Sequence, residues 1–330
     1  MAQDSTSPVK TTRALDDYVL LGRSGLRVSP LCLGALCERI LGEFVSDKRS
    51  DVVIATKYTG NPTAMQKDKR FNPNQGGNHR KSLVENLDES LKRLNMSYVD
   101  ILYIHFFEYR TPIEEFMRAL DDALYIAASD IPSWALSRAN TFAEVRGWSP
   151  FIGLQTRYNL LDRSLELDLQ PACAELDIGI LPWSIAADGF LTGKYTREST
   201  THPTSEYRNN AIAKYAKFEK NWKILDEVVA ISKEIDRPPV QVALNWIEQK
   251  PGITSPIIGA KNVNQLEENI KSLEFKLTPE QMKRLDDVSK PDLPFPYSLT
   301  DQLDKFIGKN IQVPNKFAPI VNSYNYGKLF

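Results

Sequence analysis

Lys57 stands in Val52-Val53-Ile54-Ala55-Thr56-Lys57-Tyr58, a run that otherwise reads as a buried β-strand. An ammonium ion in such a setting costs several kcal/mol, by order of magnitude, unless something pairs with it. A second apolar run, Val99 to Phe107, carries His105 near its end. Both are proton-handling groups: burial moves a lysine pKa, and histidine titrates near neutrality. At the C-terminal ends of two buried strands they describe a site that moves a proton to or from a bound small molecule. Strand alternation puts Lys57 on the face of Val53 and Ala55 and turns Tyr58 to the other face, so Tyr58 is a poor stand-in acid. His105 shares a face with Tyr103, which lies two residues deeper in the strand. The plainer alternatives are a strand-end lysine that snorkels to solvent and a hydrogen-bonded core histidine.

The rest of the composition narrows the chemistry. His79, His105 and His202 are the only histidines, and none has the spacing of a metal-ligand pair; no metal is expected. Cys32, Cys37 and Cys173 are scattered, which fits unpaired thiols in a reducing, cytoplasmic setting. A formal net charge of −1 gives no electrostatic case for nucleic acid or an anionic membrane. No stretch reaches the apolar length of a membrane-spanning helix. Met1 to Asp17 is polar, without the apolar core of a signal peptide, and is expected to be a disordered lead-in. A hydrolase built on Asp100 and Glu108 would need two facing carboxylates, and the spacing does not supply them.

These groups need a scaffold, and the pattern is of alternating strand and helix. Tyr18–Val28, with Gly22 and Gly25, reads as a hairpin, and Ser29–Ala35 as a short buried strand. A helix over 38–47 precedes strand 52–58. The polar stretch 60–80 is long enough to be a lid or binding loop. Helix 81–94 is amphipathic through Leu83, Leu87 and Leu91. Thr111-Pro112-Ile113-Glu114 predicts a helix start with Thr111 as N-cap and Glu114 closing a capping box, running to about Ala123. Strands over 124–129, 151–160, 178–183 and 255–260 follow, with helices over 133–146, 164–176, 220–235, 240–249, 264–272 and 279–288. Residues 185–214 read as a long loop, and 290–330 as a tail. The folded body therefore spans 18–289.

Such alternation demands a parallel sheet, open or closed as a barrel. The open dinucleotide-binding version should carry Gly-x-Gly-x-x-Gly after an early strand, and no such triplet occurs. Functional-looking residues at the ends of several strands favour a (β/α)8 barrel. Strands can be found near residues 32, 55, 102, 126, 154, 180 and 257, one fewer than the barrel needs.

From Tyr18 to Val288 the chain resembles the aldo-keto reductases, and most of all their aryl-alcohol dehydrogenase branch of fungi and bacteria. The resemblance rests on Leu21-Gly22-Arg23-Ser24-Gly25-Leu26-Arg27-Val28-Ser29, Ile54-Ala55-Thr56-Lys57, Tyr103-Ile104-His105, Pro256-Ile257-Ile258-Gly259-Ala260-Lys261 and Gln265-Leu266-Glu267-Glu268-Asn269. It implies a barrel that reduces an aldehyde or ketone, here an aryl or secondary-metabolite substrate, with NADP and no metal. In that family an Asp, a Tyr, a Lys and a His form the site. Lys57 and His105 match the last two. The segment that would bring the Asp and the proton-donating Tyr is absent. Leu33-Gly34-Ala35-Leu36 is how the first strand ends in the family, and Cys37-Glu38-Arg39-Ile40-Leu41-Gly42 is similar to the helix after the catalytic Tyr. They are joined directly, so about one β/α unit, the missing strand included, is absent. A smaller gap is expected after Ala123, where helix runs into strand without a turn. Both gaps suggest lost coding segments.

The resemblance implies the remaining site residues. Ser129 and Gln155 match positions that hold the nicotinamide carboxamide, the alternatives being a helix cap at Ser129-Asp130 and a satisfied barrel amide. Trp183 matches an aromatic residue placed against the nicotinamide, or is plain core. Gly259 and Ala260 would let backbone N–H groups approach a phosphate at a helix start. Lys261 would pair with a 2′-phosphate, favouring NADP over NAD. Gln265, Glu268 and Asn269 would read the adenosine, or form a solvated helix face. Leu191, Gly193 and Lys194 resemble the loop over the pyrophosphate. The competing expectation is an NADP-binding relative whose catalysis is impaired.

Overall fold

A computed structural model describes residues 12–34, 37–62, 72–199, 205–302 and 314–317 of the 330-residue chain. Leu36 at the junction, His202, residues 63–71 of the long loop, most of the lead-in and most of the tail lie outside the described residues.

Strands β1 (Val19–Leu20) and β2 (Arg27–Val28) form the expected antiparallel hairpin. It closes the bottom of the sheet: Gly22 has φ +55°, and a Cβ there would stand 2.3 Å from the Ile152 carbonyl oxygen. Only glycine tolerates both the left-handed backbone and that approach. Strand β3 (Cys32–Leu33) leads into helix α1 (Glu38–Phe44), then strand β4 (Ala55–Tyr58) and helix α2 (Arg80–Leu94). Strand β5 (Ile101–Ile104), helix α3 (Ile113–Leu120), strand β6 (Tyr125–Ser129) and helix α4 (Ser133–Arg146) follow. Next come strand β7 (Phe151–Arg157), helix α5 (Leu169–Leu176) and strand β8 (Gly179–Trp183). Helices α6 (Glu206–Tyr215), α7 (Glu219–Glu234) and α8 (Pro239–Glu248), strand β9 (Ile257–Ile258) and helices α9 (Val263–Ile270) and α10 (Pro279–Val288) complete the body.

The strands are arranged in barrel order. β4 to β8 pair in sequence, all parallel, and β3 pairs with β9 in parallel. The Ile180–Ile253 bridge continues the ladder from β8 toward β9. Among the described residues nothing pairs β3 with β4, so the ring stays open at the place where the sequence lacks a strand.

Two apolar layers result. Ile101, Tyr103, Ala127 and Leu181 point inward and meet Leu21 and Val28 of the hairpin. Leu102, Ile104, Ile126, Ala128 and Leu154 point outward beneath the helices, with Phe116, Met117 and Leu136. Alternation thus sorts the two faces as expected. Tyr58 is on the outer face, its hydroxyl donating to the Asn78 carbonyl at 3.2 Å.

Several sequence expectations are corrected. Thr111 does not cap α3: its hydroxyl donates to a carboxylate oxygen of Glu108, the N-cap is Pro112, and Glu114 pairs with Arg138. The helix stops at Leu120 and Asp121–Leu124 makes the turn into β6, a connection of ordinary length, so the helix does not run directly into the strand as expected. β4 begins at Ala55 rather than Val52, since its parallel pairing with β5 starts at Ala55–Ile101. The predicted loop 185–214 contains α6, capped by Ser205, whose hydroxyl accepts from the Arg208 N–H at 3.3 Å. Only Ile212 of that helix is buried, so its apolar periodicity was too weak to read.

Candidate active site

β4 and β5 pair with Lys57 opposite Tyr103, which aims both into the chamber. The Lys57 ammonium lies 5.6 Å from the Tyr103 ring centroid. Among the described residues no carboxylate comes within ion-pair distance of it. Burial depresses the Lys57 pKa, with the Cys32 thiol and the Asp130 carboxylate pulling it partly back. His105 follows β5 directly; its N–H donates to the Tyr58 carbonyl at 3.0 Å, and the residue is exposed at the strand end. Burial lowers the His105 pKa, the Lys57 charge lowers it further and Asp130 opposes both. The neutral imidazole is therefore favoured, a hydrogen-bonding group rather than a strong acid.

Asp130 joins this pair, although the sequence reading weighed it only as a helix cap. It caps nothing, since α4 takes Pro132 as its N-cap. It sits just past β6 with φ +42°, its N–H donating to the Gln155 carbonyl at 3.0 Å. One carboxylate oxygen accepts from the Trp183 indole N–H at 3.3 Å. Burial raises the Asp130 pKa, opposed by hydrogen bonds from Trp183 and Thr156 and by His105 and Arg157. A carboxylate at positive φ past a strand end was readable only as Ser-Asp after an apolar run, the signature of an ordinary cap.

Ser129 and Gln155 are register partners on β6 and β7, and Arg157 is the partner of Trp183 on β7 and β8. The backbone after β8 twists through positive φ at Ser184, Ala187 and Asp188. The Ser184 hydroxyl is buried there without a partner, a polar group in want of a ligand or water.

At the far side of the mouth, Lys194 lies close enough to Arg208 and Lys261 for both to depress its pKa, after the larger effect of burial. Three cations, from the β8 loop, α6 and the β9 end, thus add to one positive field, which favours an anion such as phosphate. Arg208 escaped the sequence reading because α6 did. Leu191 is fully buried beneath the loop and Gly193 turns it at φ +78°. A Cβ on Gly259 would meet nothing within 4 Å, so the backbone there is open to a ligand, and Ala260 and Lys261 are exposed beside it. α9 is capped by Asn262, whose side chain accepts from the Gln265 N–H at 3.0 Å. Gln265 in turn accepts from the Lys261 N–H at 2.9 Å, and Asn269 donates to the Gly259 carbonyl at 3.3 Å. These two amides hold the turn, while Glu268 lies on the same helix face. The cationic side chains, the open backbone at Gly259 and the unpartnered Ser184 hydroxyl are compatible in charge and space with a phosphate-bearing cofactor.

Comparison with known proteins agrees in extent. The model of the aldo/keto reductase family matches residues 35–290. Norsolorinic acid reductase B of Aspergillus parasiticus is 32% identical over 79% of this chain and 69% of its own length. An aryl-alcohol dehydrogenase of Pestalotiopsis microspora is 30% identical over 89% of this chain and 74% of its own.

Proposed function

The chain belongs to the aldo/keto reductase family, in its aryl-alcohol dehydrogenase-like branch, and on that premise we propose that it binds NADP(H) and reduces an aldehyde or ketone of aryl or secondary-metabolite type. The single observation that carries this reading is the convergence of Lys57, His105 and Asp130 at one barrel mouth that also holds the Lys194–Arg208–Lys261 cluster. A bound nicotinamide supplies the hydride. The protein's own groups hold the carbonyl and deliver the proton. His105, kept neutral, orients the carbonyl oxygen by a hydrogen bond. Lys57, or a water it holds, protonates that oxygen in place of the tyrosine that the family uses. Ser129 and Gln155 hold the carboxamide, and Trp183 lies against the ring. Leu191, Gly193 and Lys194 cover the pyrophosphate, Gly259 and Ala260 offer backbone N–H groups, and Lys261 takes the 2′-phosphate. Gln265, Glu268 and Asn269 flank the adenosine.

A second reading, an NADP-binding relative with impaired catalysis, is favoured by the absence of a carboxylate beside Lys57 among the described residues. Losing a positioned general acid typically removes a factor of ~10²–10⁴ in rate. NADPH consumption with an aromatic aldehyde separates the two. Turnover that disappears in Lys57→Met supports the reductase; Lys57→Met as active as the parent sinks the role given to Lys57. Saturable NADPH binding, read by fluorescence, without turnover supports the second reading. No saturable binding would overturn both.

A further inference from the structure

The lysine that lost its family partners has acquired the surroundings of a different chemistry. Cys32 of β3, Tyr103 and His105 of β5 and Asp130 beyond β6 are the titratable groups facing Lys57, with Arg157 of β7 acting on Asp130. The chamber wall below is apolar: Ile101, Ala127 and Leu181. No ion pair or hydrogen bond engages the Lys57 ammonium among the described residues. The open seam leaves Ala55, on the same face and one pleat back, exposed, and Lys57 itself is only partly buried.

We propose that Lys57 is an imine-forming residue, condensing with aldehydes and small ketones that enter the chamber, with Asp130 as the group that carries the proton needed to expel water. The idea rests on the preceding reading only in that carbonyl compounds enter; it requires neither hydride nor nicotinamide. The free amine of Lys57 adds to the carbonyl carbon, and the N–H proton passes to the oxygen to give a carbinolamine. The Asp130 carboxyl protonates the hydroxyl, the C–O bond breaks, water leaves and the nitrogen lone pair forms the C=N bond. The carboxylate recovers its proton from the medium, and the net products are a protonated imine and water.

The two groups are tuned in opposite senses for this work. Burial lowers the Lys57 pKa, which enlarges the share of nucleophilic free amine near neutrality. Burial raises the Asp130 pKa, which enlarges the share of carboxylic acid. Asp130 stands exposed past the end of β6, one strand beyond the β5 neighbour of Lys57, and acts on Lys57 electrostatically, so solvent relays the proton between them. An exposed lysine has neither advantage, and each unit of pKa depression is a tenfold gain in free amine.

The test is reductive trapping. The full chain is incubated near pH 7 with an aromatic aldehyde and cyanoborohydride, without NADPH, and read by intact mass and peptide mapping. Hydride from the reagent reduces the C=N bond, leaving a stable secondary amine that adds the aldehyde's mass less one oxygen. The expected result is one dominant adduct on the peptide bearing Lys57, formed at least about tenfold faster than on any exposed lysine. Lys57→Arg keeps the cation but not the nucleophile and should lose the adduct, while Asp130→Asn should slow it several-fold near neutrality. Adducts spread over surface lysines, with Lys57 unlabelled in the parent, would overturn the proposal whether or not any variant folds. NADPH fluorescence on the same preparation keeps the two readings apart. Binding without a Lys57 adduct overturns the imine alone, and an adduct without binding overturns the cofactor reading alone.

Discussion

The wall from β4 to β8 and the seam between β3 and β4 both carry large apolar side chains, and they differ in whether those side chains find a neighbour. In the wall, Phe116 of α3 is fully buried against Phe107 and Phe151. At the seam, Leu33 points outward with 57% of its surface exposed, and Ile40 and Phe44 on one face of α1 keep 67% and 68%. The other side of α1 is well seated: Leu41 and Val45 pack with Ile54, Leu94 and Val99, and Glu38 accepts from Thr56 at 2.5 Å and from Arg93 at 2.7 Å. A β/α unit carries a pattern written for neighbours on both sides, so removing one unit leaves complementary faces intact and uncovered. The site divides along the same line. In the proposed reading, the groups assigned to the cofactor come from β6 to β9, on the paired side of the ring, and those assigned to proton transfer, Lys57 and His105, stand next to the open seam.

The strongest way to break that contrast is by stability. Phe116→Ala should cost roughly 3–5 kcal/mol by chemical denaturation, as for any fully enclosed aromatic. Phe44→Ala should change it by no more than about 0.5 kcal/mol. A Phe44 variant as costly as the Phe116 variant would show that the seam is covered in solution. Gly42→Ala should fall between them. A Cβ there would stand 2.1 Å from the Leu94 carbonyl oxygen, so α1 must lift from α2, at about 1–3 kcal/mol. An unchanged melting temperature would mean that α1 is not docked as described.

The site's two sides can be parted by ligand affinity. Lys261→Ala should weaken NADPH about tenfold, the worth of one charge-assisted contact, and leave NADH nearly unchanged. Lys57→Met should alter neither by more than about twofold, since Lys57 lies away from the phosphate groups. Equal losses for both dinucleotides in Lys261→Ala would remove the 2′-phosphate assignment.

What could be read from the sequence follows the same physics. Helix α4 was placed at Ser133–Arg146 to the residue, and alternation turned Tyr58 away from the face of Lys57, whereas the register that sets Lys57 opposite Tyr103 is seen only in the fold. The open ring was legible as a strand short, because a missing β/α unit leaves a direct junction in the chain. Helix α6 was not legible, since a helix that buries only Ile212 has almost no apolar period, and Arg208 was lost with it. Thr111 misled because the capping signature is local, whereas Glu108 offers its hydroxyl a nearer acceptor and also takes the N–H groups of Arg110 and Thr111. Asp130 was hidden because its surroundings, Thr156 and Arg157 of β7 and Trp183 of β8, are distant in sequence.

The smallest expected effect bears most directly on the seam. Lys57 binds its proton less tightly in the folded protein than in the unfolded chain, where an ordinary lysine keeps it up to about pH 10.4. Between the two pKa values the unfolded chain holds more protons, so stability rises with pH there, and below the folded value the penalty is present in full. Removing the charge with Lys57→Met, of similar length and apolar, should therefore stabilise the protein near neutral pH. The gain should stay under about 1 kcal/mol, because the side chain is only partly buried and solvent screens it. Loss of the Tyr103 contact trims it further. The advantage should shrink as pH climbs toward 10, where the parent's lysine is neutral in both states. Denaturation midpoints of parent and variant between pH 6 and pH 10 measure it, with Cys32→Ser in both backgrounds to remove the thiolate that would otherwise form beside Lys57. A Lys57→Met protein that is less stable than the parent at neutral pH, by 1 kcal/mol or more, would mean that the ammonium has a carboxylate partner in solution. The proton side of the site would then be as complete as the cofactor side.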